Sequence, residues 1–185
     1  TTDPMLPETK DLTIDAIAFC VKHNVPVKIL TKCTEWIEVF LGIIEEDIYM
    51  YNKKHLIAFG VTLTGHDELE KGAATNDDRI RAIRVLSDEG FKTFASIEPI
   101  IDLNSSMYVI ERTLGWCDLY KIGLMSGQKV NKKFKTDLEQ FIGRVCLLTN
   151  RHETKVYWKN SITKIMNIVS ETSVGVDYDL FGNEA

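Results

Sequence analysis

The sequence predicts an α/β chain: a partial βα barrel of parallel strands, TIM-barrel-like and incomplete at its amino terminus. Two observations predict it. Short β-branched runs recur roughly every thirty residues, each ending in a small polar cluster and each followed by an amphipathic stretch, the alternation expected of βαβ units. The chain has 185 residues, whereas a closed eightfold barrel needs roughly 250. Five or six strands fit, so the barrel is open. A doubly wound sheet is the alternative, because alternation does not reveal strand order.

The elements follow in order. Residues 1–8 hold two prolines, which exclude a helix interior or a regular ladder. A helix is expected over about 11–23, with Ile14, Ile17, Cys20 and Val21 at helical spacing and Asn24 as its stop. The first strand run is 25–32. A helix containing Trp36, Val39 and Phe40 comes next, then the acids Glu45, Glu46 and Asp47, then a strand over 56–64. Thr75 or Asn76 can cap the next helix, whose first-turn acids Asp77 and Asp78 suit the positive end of its dipole. Ile80, Ile83 and Leu86 form its apolar stripe, and Gly90 ends it. A third strand over 91–97 leads into Glu98-Pro99, followed by a helix with Met107, Ile110, Glu111 and Leu114. The fourth strand, 118–124, runs into Met125-Ser126-Gly127. A helix over about 135–149 and a short strand near 154–159 complete the alternation. We divide the chain into a barrel portion, 1–160, and a carboxyl-terminal part, 161–185, made of a helix over about 162–172 and an acidic tail, 173–185, that is either loose or a cap.

Bulk properties narrow the function. A hydrophobic fraction of 44% and a charged fraction of 26% are those of an ordinary globular domain. No apolar stretch is long enough to span a bilayer, so no membrane partner is expected. Net charge is −5 and the pI about 5.4, against a broad nucleic-acid surface. Lys129, Lys132, Lys133 and Lys135 form the one dense basic run and read as a solvated loop and helix start. Cys20, Cys33, Cys117 and Cys146 are isolated, without metal-ligand spacing. Cys20 and Cys146 lie in apolar helical runs and read as core. The pattern suits a reducing cytosol, and a cytoplasmic location is expected.

In parallel βα architectures ligands sit beyond the carboxyl ends of the strands, so the candidate site residues are taken there. Lys32 can meet an anionic group as a point charge. Thr62 and Thr64 share one side of their strand and offer two hydroxyls to a ribose or carboxylate; β-branching alone also explains threonines in a strand. Glu98 can accept bonds from ligand hydroxyls or an amine, act as a base, or form a buried ion pair with Lys32 or Lys121. Asp3 is a ligand group or a turn cap. Gly123, Ser126 and Gly127 form a close backbone approach or a plain turn. His66 is the one histidine near a ligand end and reads as a surface-loop residue. No dinucleotide, phosphate-loop, zincin or serine-hydrolase motif is present.

Several segments together resemble radical S-adenosylmethionine (SAM) proteins, in particular the branch similar to spore photoproduct lyase. They are Thr1-Thr2-Asp3-Pro4 with the following Pro7-Glu8, Val27-Lys28-Ile29-Leu30-Thr31-Lys32, Gly60-Val61-Thr62-Leu63-Thr64, Glu70-Lys71-Gly72-Ala73, and the stretch from Asp77-Asp78-Arg79 to Gly90. The resemblance covers about residues 1–160. It implies a partial βα barrel with SAM across the strand ends. Lys32 would meet the SAM carboxylate, Thr62 or Thr64 its ribose or carboxylate, and Glu98 would lie where SAM or substrate sits. Thr2 and Asp3 would lie near the methionine amine. The chain departs from the family in lacking its CxxxCxxC motif, so it provides no metal ligands and reads as a barrel cut after its second strand. A [4Fe–4S] cluster is expected only in a longer native chain. There, the resemblance implies generation of a 5′-deoxyadenosyl radical and hydrogen abstraction from a substrate the sequence does not identify. A nucleic-acid substrate follows by analogy with the lyase branch but is disfavoured by the acidic balance. The alternative is a cluster-free nucleotide- or partner-binding module without catalysis. An unrelated barrel enzyme using Glu98 and Lys32 is a weaker third reading, since no paired acid is evident.

Overall fold

A computed structural model describes residues 2–167 and 180–181. Five strands, β1 (Val27–Thr31), β2 (Ile57–Thr62), β3 (Lys92–Ile100), β4 (Leu119–Leu124) and β5 (Lys155–Trp158), form one sheet in the order β1-β2-β3-β4-β5. Every pairing is parallel. A doubly wound sheet reverses direction at a switch point; this one advances without reversal, as a barrel wall does, and is not closed. The doubly wound alternative therefore falls.

The helices are α1 (Lys10–Lys22), α2 (Ile37–Glu46), α3 (Ile48–Tyr51), α4 (Asn76–Asp88), α5 (Leu103–Thr113), α6 (Lys132–Arg151) and α7 (Asn160–Met166). Local chemistry places their ends. Asn24, at φ 56°, ends α1, and Val25 N–H reaches back to the Cys20 carbonyl. Thr75 Oγ1 accepts from Asp78 N–H and starts α4. Gly90, at φ 85°, ends α4 while Phe91 N–H bonds the Leu86 carbonyl. Asp102 caps α5 through the N–H groups of Asn104 and Ser105. The short α3 and the single turns Lys54–Leu56 and Asp67–Leu69 carry no periodic pattern that a sequence reading could detect.

Alternation along the strands separates two faces. The helix-covered face carries Ile57, Phe59, Val61, Ala95, Ile97, Tyr120, Ile122 and Leu124. In α2 it buries Ile37, Phe40 and Ile44, whereas Val39 is exposed. Cys20 and Cys146, expected in the core, are half-buried; the buried stripes of α1 and α6 run through Ile14, Ile17 and Val21 and through Leu138, Phe141, Val145 and Thr149, leaving the cysteines beside them. The buried cysteine is Cys117.

The opposite, inner face carries Ala58, Phe94 and Leu119, closed over by Leu180 with Tyr157 and Phe181 alongside. The rest of the acidic tail and the segment 168–172 lie outside the described residues. Gly60 is required on this face: a Cβ there would stand 2.3 Å from the Phe94 ring.

Candidate functional site

Lys32, which follows β1, is the natural starting point. Its Nζ lies 2.7 Å from Glu70 Oε1, with side-chain exposures of 43% and 7%. Glu70 comes from the β2–α4 loop and was not among the residues singled out at the strand ends. Its other oxygen, Oε2, accepts from Thr64 Oγ1 at 2.8 Å and from Arg79 Nη2 at 2.6 Å. Arg79 is wholly buried and donates from Nη1 to the Thr62 carbonyl at 2.5 Å. One carboxylate thus joins Lys32 at the end of β1 to Thr64 just past β2, with Arg79 of α4 behind them. Burial opposes ionisation of Glu70, but the bonds from Arg79, Lys32 and Thr64 outweigh it and hold the carboxyl down to about 2. Glu70 Oε1 takes no hydrogen bond of good geometry, although Lys32 stands beside it.

Asn76 and Asp67 fix the same loop. Asn76 Oδ1 accepts from the backbone N–H groups of Thr64 and Gly65 at 3.2 and 3.1 Å. Asp67 Oδ1 accepts from both the backbone and side-chain nitrogens of Asn76 at 2.6 Å. Glu70 and Arg79 both lie in the segments that carry the family resemblance; the missing signal was their contact across nine residues, which spacing alone does not reveal.

The other expected residues take definite places. Asp3 acts as a cap: its Oδ1 accepts from Met5 N–H and Thr31 Oγ1, and its Oδ2 from Lys32 N–H at 2.7 Å. It therefore ties residues 3–5 to the end of β1. Thr2 is exposed at the start of that loop. Thr62 is buried in β2.

Glu98 does not end its strand, because β3 continues to Ile100 through an irregularity in its register with β4. Nor does it pair with Lys32 or Lys121. Its carboxylate bonds the Lys159 ammonium from the residue after β5. Gly123 makes room for this pair, since a Cβ there would come within 3.0 Å of Glu98 Oε1 and 3.1 Å of Lys159 Cδ. Gly127, at φ 78°, belongs to a plain turn. The lysine run at 129–135 is the entry to α6 and its first turn, exposed at Lys129, Lys132 and Lys133 and half-buried at Lys135.

His66 is more than a surface-loop residue. Its Nε2 lies 2.6 Å from Asp102 Oδ2 and its Nδ1 2.7 Å from Glu68 Oε1. The bonds to Asp102 and Glu68 raise its pKa. Asp102 is held down to about 2, against burial, by the Ser105 and Asn104 N–H groups and by His66.

The register also sorts charge. The inner face of the strands carries Lys28, Lys92, Lys121 and Lys155 with Glu98 as its one acid, while the helix-covered face carries no charged residue.

No protein-family model matches the chain. It is 26% identical over 137 residues, 70% of its length, to the uncharacterized protein MJ0683 of Methanocaldococcus jannaschii and spans 51% of that relative. Among solved structures it is similar to SuiB of Streptococcus suis. The structure bound to S-adenosylmethionine matches at TM-score 0.53 and 14% identity, over 78% of this chain and 35% of that one. The structure bound to the precursor peptide SuiA matches at 0.54 and 12%, over 91% and 39%. The likeness is one of fold: the chain shares with SuiB a radical SAM-like βα architecture. It spans about half the length of the curated relative and well under half of the solved chains.

The groups this fold implies divide at this site. SAM presents a carboxylate, an ammonium and ribose hydroxyls; a half-exposed lysine, a buried acceptor lacking a good hydrogen bond and a second carboxylate over a glycine are chemically suited to them. A [4Fe–4S] cluster needs grouped thiolates. Among the described residues no set of three or more His, Cys, Asp or Glu can hold a metal ion, so the residues present do not fit a cluster. No helix among the described residues is long and apolar enough to cross a membrane.

Proposed function

We propose that this chain is the SAM-binding portion of a radical SAM protein, related to the spore photoproduct lyase-like branch, whose cluster ligands belong to a longer native polypeptide. The observation that carries this reading is the Lys32–Glu70–Arg79 assembly at the carboxyl ends of β1 and β2, on a fold shared with a SAM-bound structure. Lys32 would meet the SAM carboxylate, because Arg79 already balances Glu70 and leaves the lysine charge available to share. Thr62 and Thr64 would border the ribose, and Glu98, held by Lys159, would accept from a hydroxyl or amine. Asp3 would position Lys32 through its backbone N–H, with Thr2 beside it. With one electron from a reductant outside these residues, bound SAM would part into methionine and the 5′-deoxyadenosyl radical that abstracts hydrogen; the residues here would bind and orient it. A peptide is one substrate class in this reading, since SuiB is seen bound to the precursor peptide SuiA.

Equilibrium dialysis with labelled SAM tests the reading. The chain should bind SAM saturably, and Lys32→Ala should weaken binding about tenfold or more, the scale of a charge-assisted contact. Absence of binding, or binding indifferent to Lys32, would overturn it. A cluster-free binding module is the second reading, favoured by the dispersed cysteines. It predicts that a longer native chain, reconstituted with iron and sulfide, stays colourless.

A further inference from the structure

The β2–α4 loop delivers Glu70 to Lys32, so what holds that loop controls the site. Two features hold it against the start of α5. Gly65, at φ 75°, packs so closely on Ser105 that a Cβ would stand 2.8 Å from the Ser105 Cβ and 3.1 Å from its carbonyl oxygen. One residue on, His66 reaches Asp102 Oδ2, the carboxylate whose other oxygen caps α5. The His66 N–H also bonds Thr64 Oγ1 at 3.2 Å, the hydroxyl that donates to Glu70. A continuous chain therefore runs from the α5 cap through His66 and Thr64 to Glu70 and Lys32.

We propose that His66 and Asp102 form a clasp that positions the β2–α4 loop, and through it Glu70 and Lys32, and that the clasp closes when His66 is protonated. This rests on the SAM-binding reading only for its effect on ligand affinity; the clasp itself is a property of the loop. His66 is a positioning residue, since it reaches Lys32 only through Thr64 and Glu70. The charged groups facing it are Glu68 on its own loop and Asp102 from the α5 side, both acids. Both ring nitrogens point at carboxylates, and only the imidazolium donates from both. A neutral ring donates from one and sets a lone pair against the other acid. The clasp is therefore closed below the raised His66 pKa and loosens as pH rises through it.

Amide hydrogen exchange across residues 64–70, corrected for intrinsic rates, tests this on the ligand-free chain from pH 6 to pH 8.5. Protection should fall about three- to tenfold over that range, the scale of one charge-assisted bond at a partly exposed site. His66→Gln should abolish the pH dependence, and Asp102→Asn should leave the loop open throughout. Protection independent of pH, or a fall that persists in His66→Gln, would overturn the clasp even if every variant folds. SAM affinity measured in parallel should show the same pH-dependent difference between wild type and His66→Gln. Loss of SAM binding at every pH would sink the SAM reading, while the exchange data would still decide the clasp.

Discussion

At the residue scale, Glu70 and Arg79 matter most for what holds the site together. A wholly buried guanidinium is tolerable only with its charge met, and Glu70 meets it while also receiving Thr64 and facing Lys32. Glu70→Gln keeps the shape and removes the charge, leaving Arg79 with the more distant Asp67 carboxylate, 3.8 Å from its Nη2. The expected cost is about 3 kcal/mol, the low end of the range for breaking a buried pair by removing one partner, because Asp67 keeps part of the compensation. Glu70→Gln combined with Arg79→Met should cost less than Glu70→Gln alone, because no buried charge remains. Urea unfolding of the two variants checks this, and a single-variant loss below about 1 kcal/mol would contradict it. Little of this arrangement was legible in the chain. Lys32, Thr62 and Thr64 could be named because they sit at strand ends, where position carries meaning. Glu70 sits in a loop, and no periodicity marks a loop carboxylate as the partner of three other groups. Glu98 was legible as a polar residue near a strand end, but its partner lies 61 residues away, beyond any local pattern.

At the element scale, the strands were legible almost to their ends, since β-branched alternation is a property of the strand itself. β3 was the exception: Pro99 suggested a stop, but the strand absorbs it in an irregular stretch and continues to Ile100. The pairing of β2 with β3 depends on a feature that only the register exposes. Gly60 pairs with Phe94, and the ring lies where a Gly60 side chain would be. Gly60→Ala should therefore destabilise the chain by about 1–3 kcal/mol through overpacking. Phe94→Leu in the same background should return part of that loss by vacating the ring's position. If thermal unfolding shows Gly60→Ala to be neutral, the close approach is not a constraint on the sheet. Cys20 and Cys146 show the opposite limit of pattern reading. Each lies within one position of a buried stripe, and a single step of 100° around a helix decides between core and surface.

At the scale of the whole molecule, strand order distinguishes an open barrel wall from a doubly wound sheet, and order arises from packing between units rather than within any one of them. The same scale governs the response to pH, because groups from different loops act together. Glu70 and Asp102 have native pKa values of about 2, below their ordinary 4.5 and 3.8. A depressed carboxyl stabilises the native state above its unfolded pKa, and that stability is lost as pH falls towards the native value. The acid loss should therefore span about pH 4.5 to 2. His66 acts in the other direction: its raised pKa stabilises the chain fully below 6.5, and this contribution disappears as pH rises through the native value. Its share is small, because the ring and its partners are partly exposed. Stability should then be greatest between about pH 5 and 6.5, with a shallow decline above and a steep one below. Urea midpoints from pH 2.5 to 8.5 give the curve directly. Glu70→Gln should flatten the acid limb and His66→Gln the shallow alkaline one. An acid limb unchanged in Glu70→Gln would mean that Glu70 is not the group whose protonation opens the structure.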